Sequence, residues 1–102
     1  MFFYFKKGGY PIDDFLTLVN IPKVFKNVVY WKEATFTFRM HARDKYDHYH
    51  ELELPIDVNL EKLNISDIAH QLKLNFGLQT THVEEEDMRI ERMNVSFHFH
   101  FT

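Results

Sequence analysis

The sequence predicts one α+β domain, built from a mainly antiparallel β-sheet of four or five strands with one principal helix packed on one face. Two observations predict this fold. Residues 95–102 alternate apolar and polar side chains without a break, which is the pattern of a strand with one buried face. Residues 65–76 instead repeat apolar side chains at the spacing of a helix. With 102 residues, the chain has the length of a single domain, so residues 1–102 are expected to share one core.

The N-terminal quarter of the chain begins with a predicted strand. Residues 2–5 are consecutive aromatic residues, and a Gly-Gly turn signal follows them. Residues 12–25 allow two interpretations. Asp13 and Asp14 could open a helix that Pro22 ends, or the segment could be an extended linker. The sequence leaves both alternatives open.

A β-hairpin is predicted in the middle of the chain. Apolar and polar residues alternate within residues 28–40 and again within 48–54, and the segment between them is polar and turn-like. Pairing the apolar faces with each other places Arg39 opposite Glu51 on the outer face, where opposite charges attract. The tip of the hairpin is therefore predicted at residues 44–46.

The principal helix is predicted over residues 65–76. Asn64 is a suitable N-cap, because its side chain can accept a hydrogen bond from the backbone at the start of a helix. Gly77 suits the left-handed conformation in which many helices end. On this helix Leu74 points away from the apolar stripe. An exposed leucine is ordinary unless other apolar groups gather beside it.

Residues 80–93 are compatible with two structures. Their apolar residues keep a rough helical spacing, but residues 84–87 are all acidic and could form the bend of a hairpin. In that hairpin, residues 78–83 would be one strand and residues 88–101 a long final strand. A strand commonly follows a glycine-terminated helix in α+β folds, so the sequence favours the hairpin.

Composition and charge exclude several classes of function. The chain has no cysteine, which excludes disulfides, thiolate zinc sites and cysteine nucleophiles and fits a reducing, cytoplasmic location. No apolar stretch approaches the length that spans a membrane, and the opening aromatic run is too short for a secretion signal. A net charge of −3 without a basic cluster disfavours nucleic acid as a partner.

Four histidines form two His-x-His pairs, His48 with His50 and His98 with His100. Within each pair the two rings share one strand face about 7 Å apart, so both can reach one metal ion. If the two strands were neighbours, four ring nitrogens could bind zinc or another divalent transition metal. The sequence predicts these four residues as the candidate metal ligands, although strand parity turns the two pairs to different sides of one sheet.

Apolar residues provide the candidate interaction surface. Phe accounts for 11 of the 102 residues, and aromatic residues are enriched at protein interfaces as well as in cores. The candidates are Phe97, Phe99 and Phe101 on the final strand and Leu74 on the helix. Since the final strand ends the chain, it is expected at an edge of the sheet, where a second chain can pair with it.

The sequence favours a non-enzymatic protein-interaction or regulatory module, which binds a partner protein or associates with itself as a homodimer. No nucleophile motif and no glycine motif for phosphates or dinucleotides is present, and no cofactor is predicted. Two alternatives stay open: metal binding by the His-x-His pairs, and a nucleic-acid-binding regulator, since residues 66–72 resemble the start of a helix-turn-helix. Small domains of this type often act as accessory proteins, including those of mobile elements.

Overall fold

An antiparallel sheet with helices packed against it confirms the predicted α+β class. The computed structural model describes residues 2–3, 7–25 and 32–98. The strands are β1 (Phe2–Phe3), β2 (Tyr10–Pro11), β3 (Glu33–Arg43), β4 (Tyr49–Asn59) and β5 (Arg89–Phe97). The helices are α1 (Ile12–Val19), α2 (Ile21–Phe25) and α3 (Ile65–Gln79). None of the helices in these residues is long and apolar enough to cross a membrane.

The strand order is β1-β5-β3-β4, and β2 pairs with β5 on the same side as β1. Neighbouring strands are antiparallel throughout the described sheet. The expectation that the final strand lies at an edge is wrong for Arg89–Phe97, because β3 pairs with one side of β5 and the N-terminal strands pair with the other. Among the described strands, the long strand at an edge is β4 instead.

One face of the sheet carries the core. Along β3 the even-numbered side chains are buried, and the odd-numbered side chains lie on the opposite face. The buried side chains of this strand are Ala34, Phe36, Phe38, Met40 and Ala42. The Phe15 ring of α1 meets the Phe38 ring edge-on, with ring centroids 6.3 Å apart. Such contacts join the helices and the sheet into one apolar cluster.

Residues 12–25 form two short helices, which settles the choice between a helix and a linker. Asn20 separates the two helices with a φ of 50°, in the left-handed region that asparagine tolerates better than most residues. Pro22 lies in the first turn of α2, where a missing N–H removes no helical hydrogen bond. Asn20 therefore ends the first helix, and Pro22 helps to begin the second.

The principal helix is confirmed and extends past its predicted end at residue 76. Asn64 caps its N-terminus through the side chain, as predicted. Gly77 lies inside the helix rather than at its end. The helix stops after Gln79, where the Thr80 Oγ1 hydroxyl donates to the Phe76 carbonyl oxygen at 2.7 Å. The threonine, and not the glycine, therefore satisfies a carbonyl group at the end of the helix.

Strands β3 and β4 form the predicted hairpin in a different register. Arg39 lies opposite Glu53 and not opposite Glu51. The register differs because Asp44 extends the ladder: its N–H donates to the His48 carbonyl oxygen at 2.9 Å, which moves the turn along the chain. A shift of two residues keeps each side chain on its predicted face of the sheet.

The predicted strand at residues 78–83 is wrong. The helix α3 occupies the start of this segment, and a 3-10 turn at Glu85–Asp87 leads into β5. The final strand is confirmed over Arg89–Phe97. Residues 99–102 lie outside the described residues.

A β-bulge interrupts the pairing of β5 with β3. Two consecutive residues of β3 lie opposite Arg92 and Ile90, which leaves Glu91 as an extra residue. Ile90 and Met93 are both buried although they are three positions apart. The bulge thus changes which side chains of β5 face the core.

Candidate functional site

The structure separates His48 and His50 from His98. His50 lies opposite Ala42 near the hairpin turn, and the His98 N–H donates to the Glu33 carbonyl oxygen at 3.1 Å at the other end of β3. Most of the length of β3, roughly 30 Å, lies between these positions. Within the described residues, no three His, Asp or Glu side chains are grouped so that they could hold a metal ion. His48 and His50 therefore do not share a site with His98, whereas metal binding by either His-x-His pair alone stays a prediction, with His100 outside the described residues.

Asp44 organises the hairpin turn beside the other histidine pair. Its Oδ1 accepts hydrogen bonds from the N–H groups of Tyr46 and His48, at 2.8 and 3.0 Å. Its Oδ2 lies 2.9 Å from His50 Nε2 and 3.7 Å from His48 Nδ1. The hydrogen bond with His50, helped by the backbone N–H groups, lowers the pKa of Asp44 to about 2, although burial acts in the opposite direction. An aspartate at the start of a turn often bonds the backbone ahead of it, and this signal could have identified Asp44 in the sequence.

The predicted aromatic surface is partly used inside the molecule. Phe97 is half-buried, and its ring packs on Phe25 with ring centroids 5.9 Å apart. Phe99 and Phe101 lie outside the described residues, so their role as interface residues stays a prediction. Phe97 contributes at least part of its surface to the fold itself.

The helix α3 lies along β4 on the core side of the sheet. Its N-terminal half is close to residues 56–59, and after its C-terminal end the His82 carbonyl oxygen accepts a hydrogen bond from the Lys45 N–H at 3.1 Å. The helix and the strand therefore run in opposite directions. Leu74 is 50% exposed on the outer surface of α3, and Leu78, one turn further on, is 74% exposed. The sequence identified only the first of these leucines, because the helix was predicted to end before the second.

Within the part of the chain that the structure describes, the 11-residue strand β4 leaves one backbone edge unpaired. In the described residues it pairs with β3 alone. The Asp44 N–H donates to the His48 carbonyl oxygen at one end of the hairpin, and the Leu60 N–H donates to the Lys32 carbonyl oxygen at the other. Because hydrogen-bonded pairs alternate along an antiparallel ladder, these two contacts place the even-numbered residues of β4 in the hydrogen-bonded pairs. Its odd-numbered residues therefore direct their backbone N–H and C=O groups away from β3.

The odd-numbered side chains of β4 lie on the face of the sheet opposite the core. Three of them are acidic, and we call Glu51, Glu53 and Asp57 the acidic row. Pro55 stands between the last two and has no N–H to offer at the centre of the edge. Prolines and charged side chains are typical of edge strands, because they discourage indiscriminate pairing with other chains.

Arg39 on β3 lies beside the acidic row. Its Nε donates to Glu51 Oε1 at 2.6 Å and lies 3.4 Å from Glu91 Oε2 of the bulge. The hydrogen bond and the charge of Glu51 raise the pKa of Arg39, and the same hydrogen bond lowers the pKa of Glu51. Glu53 makes longer contacts, 3.9 Å to Arg39 and 3.8 Å to Arg92. Of these two carboxylates of the row, Glu51 is therefore tightly paired and Glu53 more loosely.

Comparison with known proteins adds no relative: no family model, no curated protein and no solved structure matches the chain. A function can therefore be proposed only from the residues of this chain. At the edge of β4, outward-directed backbone N–H and C=O groups lie beside the carboxylates of the acidic row.

Proposed function

We propose that the protein is a protein-interaction module that binds an extended segment of a partner protein along the free edge of β4. The observation that carries this proposal is an 11-residue strand that, in the part of the chain the structure describes, pairs on one side only. Strand addition to such an edge is a recurring mode of peptide recognition. Backbone hydrogen bonds supply the affinity, and alternate side chains supply the specificity.

The backbone of β4 supports the binding of a short strand. From Tyr49 to Glu53 the outward N–H and C=O groups follow each other without interruption, and Pro55 ends this stretch. A partner segment of about five residues could pair with the stretch, since alternate residues of a strand bond to each neighbour. The interaction would therefore be local and would not need the whole edge.

The two sides of this edge differ in chemistry, which supports selective binding. On the core side, α3 runs along β4 and exposes Leu74 and Leu78 on its outer surface. On the opposite side lies the acidic row. A bound strand would send alternate side chains to these two sides, because successive side chains of a strand point to opposite faces.

A peptide-display selection tests the proposal. We expect a random decapeptide library, selected on the full chain, to yield sequences that bind the wild type and Glu53→Thr but not Glu53→Pro. The proline removes one outward N–H, as Pro55 already does, and leaves the ladder to β3 intact. Threonine removes the same carboxylate but keeps the N–H, so Glu53→Thr is the matched control.

Two further measurements make the result decisive. Thermal unfolding and circular dichroism of both variants establish that the fold is retained. The selected peptides should slow hydrogen exchange at the N–H groups of Glu51 and Glu53 in the wild type. A selection that enriches no sequence, or one whose peptides bind Glu53→Pro as tightly as the wild type, would contradict the proposal.

A further inference from the structure

We infer that the segment bound at β4 is basic, with lysine or arginine at alternate positions, and that it comes from another protein rather than from β4 of a second copy. The inference rests on the proposed function, because it assigns the chemistry of the partner at the same edge. The charge of the acidic row and the position of Pro55 carry it.

The acidic row creates a specific requirement on the side chains of a partner strand. Residues directly opposite each other in an antiparallel pair have Cβ atoms about 4.5–5.5 Å apart, so opposite charges there stabilise the pair and like charges destabilise it. Glu53 is 59% exposed, and its contacts with Arg39 and Arg92 are 3.9 and 3.8 Å long. A lysine or arginine opposite Glu53 could approach its carboxylate more closely than either arginine does.

The arginines of the sheet do not lie between the acidic row and a basic partner strand. Arg39 lies on the strand next to β4, and Arg92 lies one strand further in. Neighbouring strands are about 4.8 Å apart, and a partner strand would lie on the other side of β4. The carboxylates of the acidic row are therefore between the arginines and the incoming side chains.

A second copy of β4 fits this edge poorly. In the antiparallel register that overlaps the whole strand, Glu51 of one copy would lie opposite Asp57 of the other. A shift of two residues places Glu53 opposite Glu53 in one direction and opposite Asp57 in the other. Each of these registers brings carboxylates together, and Pro55 interrupts the backbone donors near the centre. A basic segment from another protein meets neither like charges nor a second proline.

Three synthetic peptides of equal length test the inference: alternating lysine–valine, threonine–valine and glutamate–valine. We expect the lysine peptide to bind the full chain about tenfold more tightly than the glutamate peptide, as several cross-strand charge pairs would produce. It should protect the N–H groups of Glu51 and Glu53 from hydrogen exchange. Its affinity should fall as salt is added, because exposed charges are screened.

A charge reversal provides the matched variant. Glu53→Lys should remove most of the difference between the lysine and glutamate peptides, because Glu51 and Asp57 stay acidic, and Glu53→Gln should reduce it less. Equal affinities of all three peptides, with β4 protected in each case, would overturn the inference and leave the proposed function standing.

Two other outcomes separate the proposals further. If no peptide protects β4, the proposed function fails together with the inference. If sedimentation shows a homodimer at micromolar concentration in which the N–H groups of β4 exchange slowly, the second copy is the occupant, and the inference is overturned.

Discussion

On β3, the even-numbered side chains are apolar and buried beneath the helices, whereas the odd-numbered side chains are polar and lie half-buried or exposed on the opposite face. The buried set packs against α1 and joins the core. The polar set includes Arg39, which pairs with Glu51 and Glu53 of the acidic row. The difference teaches that one strand can stabilise the fold with one face and position the carboxylates of the proposed binding edge with the other, so single substitutions should separate stability from the proposed recognition.

The largest expected effect lies on the buried face. Phe38→Ala should lower the free energy of unfolding by about 3–5 kcal/mol, because it removes a fully buried ring and leaves a cavity. Urea unfolding measures the change, and Phe38→Leu should give a smaller loss if the alanine variant fails to fold. Thr37→Ala, on the opposite face, is the control and should change the midpoint little. Equal losses of unfolding free energy at Phe38 and Thr37 would contradict the difference between the two faces of β3.

An intermediate effect on stability is expected at the hairpin turn, around Asp44. The pKa of Asp44 is lowered to about 2, below the roughly 3.9 of an aspartate in an unfolded chain. Its ionised carboxylate therefore stabilises the fold above about pH 4, and this contribution is lost as the pH falls towards 2. Asp44→Asn should lower the unfolding temperature at pH 7 and flatten the acid part of the stability profile.

Thermal unfolding between pH 7 and pH 2 measures this profile. Asp47→Asn is the matched control, because that carboxylate belongs to the same turn but is 86% exposed. A profile of Asp44→Asn parallel to that of the wild type over the whole range would contradict the expectation.

The smallest effect on stability is expected on the polar face. Arg39→Gln should shift the urea midpoint less than Phe38→Ala, because its ion pairs are partly exposed and solvent screens them, whereas the Phe38 ring is fully buried. It should nevertheless raise the pKa of Glu51 towards its ordinary value, since Arg39 is the main cause that lowers it. It should also raise the affinity for the lysine–valine peptide, because the carboxylates lose an internal partner.

A carboxylate titration by NMR and a binding measurement test this variant, and Arg39→Lys serves as the control that keeps the charge. A loss of stability as large as that of Phe38→Ala would show that the two faces are not separable.

The elements that rest on local periodicity could be predicted from the sequence. The alternation around Phe38 specifies a half-buried strand, and the apolar spacing after Asn64 specifies the principal helix. Both patterns are complete within a short stretch of chain, so no distant contact is needed to read them. The hairpin register is different, because the hydrogen bonds of the Asp44 backbone and side chain decide it and not the apolar pattern.

Residues 80–93, whose pattern is compatible with a helix or a hairpin, show why a periodic pattern can mislead. Ile90 and Met93 are three positions apart, a spacing typical of one helix face, yet both belong to a strand. The extra residue at the bulge produces this spacing. A bulge has no strong sequence signal of its own, so the apolar spacing kept a helix open as the alternative to the favoured hairpin.

One part of the candidate site, the shared face of its carboxylates, could be predicted from the sequence, and its position at the edge could not. The parity that separates Glu51 and Glu53 from the leucines between and after them already puts the two carboxylates on one polar face. That β4 lies at the edge depends on strand order, which is fixed by pairing between distant segments. Strand parity is a local property, whereas edge position is a property of the whole sheet, so the expectation of an edge position for the final strand, made because it ends the chain, is wrong for Arg89–Phe97.

The bulge at Glu91 also determines how β5 can tolerate the loss or gain of a residue. On either side of it the core-facing positions follow opposite parity, with Ile90 before the bulge and Met93 and Val95 after it. A one-residue deletion in a connecting loop only shortens a link between elements. The deletion of Glu91 would instead remove the bulge and leave Ile90, Met93 and Val95 on one face of a regular strand, whereas the deletion of Asn94 would exchange inside and outside for one half of the strand. The core-facing side chains of β5 therefore recur at every second residue on each side of Glu91, and the bulge shifts this alternation by one residue.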